Sequence, residues 1–122
     1  MRFRPEQHLR RQNDIRVVRE DGRREDCRAY TLWWRKRPIG SVTPEQPRVG
    51  VVASTAAVGG AVQRARAKRR MREVFRAHQS LLPVDCDVLM VARKSVILWE
   101  FTHLERVFVD ACRRITSATS HA

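Results

Sequence analysis

Acidic residues are scarce in this chain: 13 Asp and Glu stand against 25 Lys and Arg, a net charge of +12 with a pI of about 11.4. Carboxylates so few and so scattered offer no cluster for a two-metal hydrolytic centre. Lysine is scarcer still, with only Lys36, Lys68 and Lys94. The remaining cations are arginines, whose planar forks bind phosphate bidentately and stack on bases. A genome-wide preference for Arg would account for that ratio but not for the net charge. Cys27, Cys86 and Cys112 are widely spaced, odd in number and without a CxxC pair. That argues against a zinc site or disulfide framework and fits a reduced cytoplasm. His8, His78, His103 and His121 fall in different segments, none near a nucleophile in sequence. No apolar run suggests a signal peptide or a membrane span, and no repeat or low-complexity segment is visible. The absences leave a soluble, cytoplasmic, basic protein whose charge calls for a polyanion, with no membrane role.

What is present is concentrated between Val58 and Arg76, VGGAVQRARAKRRMREVFR. This stretch holds seven cations (Arg64, Arg66, Lys68, Arg69, Arg70, Arg72, Arg76) and one acid, Glu73. Met71, Val74, Phe75 and His78 recur at helical steps, which marks a face that packs on a core. At ~100° per residue, Lys68, Arg69, Arg72 and Arg76 fall together on another arc. The spacing predicts a folded basic helix from Ala61 to Gln79, not a disordered tail. Gly59-Gly60 before it resembles a phosphate cradle only weakly, although a helix N-terminus accepts phosphate through its free N–H groups. His78, on the apolar side, reads as a packed side chain.

At 122 residues and 43% hydrophobic content the chain fits one domain with a real core. Residues 1–11 read as a flexible basic arm, 12–115 as the domain and 116–122 as a polar tail. Asn13 is placed to cap a short helix over Asp14 to Glu20, ended by Gly22. Arg28 to Arg37, Arg48 to Ser54 and Asp87 to Ala92 read as strands, with a further short strand near Val96 to Trp99. Thr102 and Glu105 have capping-box spacing, and Leu104, Val107, Phe108, Ala111 and Ile115 trace the apolar stripe of a last helix. This order predicts a mixed α/β (α+β) sandwich, a small sheet covered by helices. Trp33 and Trp34 point to opposite faces of their strand. One of them is offered for stacking on an unpaired base, or both pack; the pattern alone leaves the two open. Asp85 and Asp87 read as turn or cap residues at the start of a strand.

With these residues in view, the chain resembles the protein subunit of bacterial ribonuclease P. The family's basic helix runs Gly-Asn-Ala-Val-x-Arg-Asn-x-x-Lys-Arg-x-x-Arg, followed by an acid or glutamine and a phenylalanine. Here Gly59, Ala61, Val62, Arg64, Lys68, Arg69, Arg72, Glu73 and Phe75 match it. The RVGVVAS strand before it, Leu82-Pro83 and VARK (Val91–Lys94) after it, and the final Leu-Glu-Arg helix fit as well. Gly60 and Ala65 stand where the family usually has asparagine. Ala56 and Ala57 replace a lysine-rich place, and Ile15 and Arg19 replace phenylalanines.

The resemblance implies a two-layer sandwich like the second domain of ribosomal protein S5, with a left-handed βαβ crossover carrying the basic helix. It implies the protein component of a ribonucleoprotein endoribonuclease that removes the 5′ leader of precursor tRNA. The catalytic RNA would hold Mg²⁺, and the protein alone would bind no cofactor or metal and supply no catalytic residue. Its partners would be that RNA and precursor tRNA, with no obligate protein partner. Arg64, Arg66, Lys68, Arg69 and Arg72 would meet the RNA, with Gly59 and Gly60 allowing close backbone approach. Arg10, Arg11, Ile15, Val18, Arg19 and Trp33 would form a leader-binding cleft. The alternative is an RNA- or DNA-binding protein of ribosomal or architectural type.

Overall fold

Among the described residues, glycine and proline mostly fall between the elements, as punctuation should, with Gly50 inside a strand the exception. The structure, a computed structural model, describes residues 12–38, 40 and 46–120. Along these run α1 (Gln12–Asp21), β1 (Arg23–Asp26), β2 (Tyr30–Lys36), β3 (Arg48–Val52), α2 (Thr55–Val58), α3 (Ala61–His78), β4 (Cys86–Ala92), α4 (Ser95–Leu98) and α5 (Phe101–Ser120). A short 3₁₀ turn, Gln79–Leu81, extends α3. Gly22 separates α1 from β1, Gly59-Gly60 separates α2 from α3, and Pro83 lies between the 3₁₀ turn and β4.

The sheet order is β1-β2-β4-β3. β4 pairs antiparallel with β2 and parallel with β3. Parallel neighbours require a crossover, and α3 supplies it. The basic helix is thereby fixed across the sheet at both ends.

Period-two alternation divides the sheet into two faces. Tyr30, Leu32, Trp34, Val49, Val88, Met90 and Ala92 are buried on one, under α3 and α5. There α3 contributes Ala67, Met71, Val74 and Phe75, and α5 contributes Leu104, Phe108, Ala111 and Ile115. Phe75 meets Phe108 edge to face at 6.5 Å, and Tyr30 Oη donates to the Leu104 carbonyl at 3.1 Å. α1 lies on the opposite face, where Val18 and Leu89 are fully buried among Ile15, Trp33, Val52 and Val91. Cβ at position 22 would lie 2.1 Å from the Val18 carbonyl oxygen and 2.7 Å from that of Trp34, so only glycine lets α1 turn this closely into the sheet.

Several local expectations are corrected. Asp87 is no turn residue: it is 1% exposed and takes Arg37 at 2.5 Å and Arg48 at 2.7 Å. Arg37 also donates to the Gln46 and Val84 carbonyls, so this buried charge cluster anchors both flanks of the β2–β3 connection. Asp85, by contrast, does lie in the turn before β4 and pairs with Lys36 at the surface. Val96 to Trp99 forms the helical turn α4 and its C-cap, not a strand, because Arg70 ties down its carbonyls. β1, with the wholly polar sequence RRED, went unforeseen; edge strands need no apolar alternation. Asn13 and Thr102 lie inside their helices, and the Glu100 carbonyl receives the first α5 amides. α5 continues to Ser120, so residues 116–120 are helical. Residues 1–11 lie outside the described residues.

Candidate nucleic-acid interface

Helical geometry sorts the cations of α3 into two groups. Arg64, Lys68, Arg69 and Arg72, with Ala61, Ala65 and Glu73, line an open groove of about 560 Å³ along the helix. Steps of three and four place them on one side, and the small Ala61 and Ala65 leave room between the long side chains. None of these four cations forms an ion pair among the described residues. Glu73, the one acid on the rim, is held by Arg76 at 2.6 Å. Arg64 Nε is buried with no acceptor among the described residues. The groove therefore presents four uncompensated cations and asks for an anion repeated along its length.

Other basic residues lie outside the groove, Arg66 among them although it was expected to meet the RNA, and several hold the fold together. Arg66 and Arg70 lie on the far shoulder of α3, outside the groove. Arg70 donates to the Val96 and Trp99 carbonyls. Arg93 clamps the β1–β2 turn through Asp26, the Arg28 carbonyl and Thr31. Lys94 Nζ donates to the Val58 carbonyl at 2.9 Å, pinning the approach to α3. There Gly59 has φ +125° and ψ −149°, a conformation essentially confined to glycine. Gly60 is extended and exposed, at the N-cap of α3 without a side-chain bond.

A second hollow, of about 570 Å³, opens beside α1 between Gln12, Asn13, Ile15, Arg16, Arg19 and Val52. Ile15 and Arg19 line it as expected. Half-buried Trp33 packs in the same α1-side cluster as Ile15, while Trp34 is buried on the other face. Val18 is fully buried and supports the floor from beneath, so it is not a surface residue of the cleft. Arg10 and Arg11 lie outside the described residues. Gln12, Arg16 and Val52 had not been singled out, and Asn13 had been read only as a helix cap. The spacing of 12, 15, 16 and 19 along one helical face was the signal for Gln12 and Arg16, whereas Val52 arrives through the sheet. Arg16 donates to Asn13 Oδ1 at 2.7 Å, which leaves Arg19 the freer cation.

The thiols of Cys27, Cys86 and Cys112 are all buried and pushed up by that burial to about 12. They are inert at neutral pH. His78 is half-buried, 2.7 Å from Glu105 and tilted against Phe108, a packing role as expected. Among the described residues no group of three or more His, Cys, Asp or Glu could hold a metal ion. No described helix is long and apolar enough to cross a membrane.

Fold and site together define a class: a small single-sheet α/β protein that displays its cations on a crossover helix. The family model described as Ribonuclease P matches residues 3–116, and the chain belongs to this family of ribonuclease P proteins. The ribonuclease P protein component of Desulfovibrio desulfuricans is 34% identical over 86 residues, 70% of this chain and 63% of that protein. That of Chloroflexus aurantiacus is 37% identical over 98 residues, 80% of this chain and 68% of its own length. The matched stretch thus spans about two thirds of these relatives. The solved RNase P protein of Thermotoga maritima superposes with a TM-score of 0.73 at 23% identity, covering 88% of this chain and 96% of that one, a likeness of fold.

Proposed function

We propose that this protein is the RNA-binding partner of a ribonuclease P catalytic RNA and assists removal of the 5′ leader from precursor tRNA. The observation that carries the reading is the α3 groove, where Arg64, Lys68, Arg69 and Arg72 stand in a row without carboxylate partners among the described residues. Such a row neutralises successive phosphates of a folded RNA and releases their counterions. In this reading the chemistry belongs to Mg²⁺ held mainly by the RNA, and the protein supplies neither nucleophile nor acid. The cleft beside α1 receives the single-stranded leader. Arg19 meets its phosphates, and Trp33 with Ile15 offers the apolar floor on which a base rests.

The test is cleavage of precursor tRNA by a bacterial ribonuclease P RNA at low Mg²⁺, with and without the protein. Cleavage that appears on adding the protein supports the reading. Retained RNA binding without stimulation overturns it in favour of a basic binding protein of ribosomal or architectural type.

A further inference from the structure

The shoulder of α3 opposite the groove carries features that the groove and the α1 cleft leave unused. Arg66 and Arg70 stand one helical turn apart, and neither has an ion-pair partner among the described residues. Partial burial, and then the charge of Arg66, hold the Arg70 guanidinium below its ordinary pKa, so two like charges face each other uncompensated. Arg70 is held in place by its bonds to the Val96 carbonyl at 2.7 Å and to the Trp99 carbonyl. Those bonds also fix Trp99, whose ring stacks on His103 with centroids 4.0 Å apart and planes 8° apart. His103 is exposed, Trp99 is half-buried, and the neighbouring Leu98 is 70% exposed. A rigid pair of rings is therefore left at the surface beside a pair of unneutralised guanidinium groups.

We propose that this shoulder is a second RNA-binding surface, taking one unpaired nucleotide with its phosphate at Arg66 and Arg70 and its base against the His103–Trp99 pair. Phosphate fits the Arg66 fork, while Arg70, whose Nε and Nη2 are taken by the Val96 and Trp99 carbonyls, adds its charge and its Nη1. A base has the flat face that an exposed ring pair recognises. A single strand fits better than a duplex, because paired and stacked bases do not present their faces. An acidic protein segment would use the arginines but leave the rings idle. Trp99 and His103 are four residues apart across the start of α5, so a helix and its N-terminal flank bring the rings together.

The test uses the full-length protein and a short oligoribonucleotide carrying 4-thiouridine, read by photo-cross-linking and by fluorescence anisotropy. Cross-links are expected on the segment from Trp99 to Arg106 and are expected to persist in Arg19→Glu, which alters only the α1 cleft. His103→Ala, at an exposed helical position, is expected to remove them and to weaken oligonucleotide binding about tenfold. His103→Tyr is expected to restore binding, and an abasic sugar–phosphate oligomer of equal length is expected to bind wild type and His103→Ala alike. Cross-links confined to α1 and β2 would overturn the proposal, as would an equal loss of affinity for abasic and base-bearing oligomers. These readouts require no catalytic RNA, so they stand or fall separately from stimulated cleavage.

Discussion

Asp87 shows how much one residue carries. It sits on β4 opposite Arg48 and Arg35 in the sheet register, but its carboxylate is shared between Arg48 and Arg37. Removing it leaves guanidinium charge buried without a counter-ion. Asp87→Ala is therefore expected to cost about 3–5 kcal/mol in urea unfolding, and a cost below 1 kcal/mol (about one surface pair) would show that the cluster is dispensable. Trp33 and Trp34 illustrate a different residue-scale rule. Adjacent in sequence, they part to opposite faces, and only Trp33 reaches the side where α1 leaves the sheet partly open. Trp33→Ala is expected to raise KM for leader-bearing precursor tRNA while leaving binding of leaderless tRNA unchanged. Equal effects on both substrates would assign Trp33 to packing alone.

At the scale of elements, α3 is a helix with three duties on three sides. Ala67, Met71, Val74 and Phe75 hold it to the core, Arg70 holds α4, and the groove side is left to solvent. Because the groove cations make no ion pairs among the described residues, they can be removed without undoing the fold. Lys68, Arg69 and Arg72 changed together to Ala are expected to leave the thermal unfolding midpoint near that of the wild type. The same change should flatten the dependence of log K on log salt for RNA binding by roughly 2 to 3. An unchanged slope would move the RNA contact elsewhere. The approach to α3 is equally specified, since Gly59 adopts a backbone conformation closed to other residues and Lys94 fastens the preceding carbonyl.

For the whole molecule, burial of ionisable groups sets the response to pH. The three thiols, ordinarily at 9.0, lie at about 12 in the folded protein, and burial also pushes the Tyr30 hydroxyl up. Raised folded values mean that the unfolded chain gives up these protons first. The stability they contribute is fully present below pH 9.0 and is lost as pH rises towards 12. The urea midpoint is expected to fall steadily across that window, with the fall reduced when Cys27, Cys86 and Cys112 are replaced by Ala. Native thiols should also react slowly with an aromatic disulfide reagent at neutral pH and rapidly in denaturant. Fast labelling of the native protein would contradict their burial.

The sequence by itself determined the basic helix, its core-facing side, the apolar stripe of α5 and the two buried strands β3 and β4, because helical and strand periodicity record burial directly. The family was legible for the same reason: its motif is local, from Gly59 to Phe75. Boundaries and pairings were decided only by the tertiary structure. Val96 to Trp99 has strand-forming residues yet turns helically, because Arg70, 26 residues before Val96, holds its carbonyls. Asp87 reads as a turn acid until Arg37, just past the end of β2, and Arg48, at the start of β3, arrive beside it. The cleft beside α1 also depends on the fold, since Ile15, Trp33 and Val52 are separated along the chain and meet only when strand order and register place them on one face.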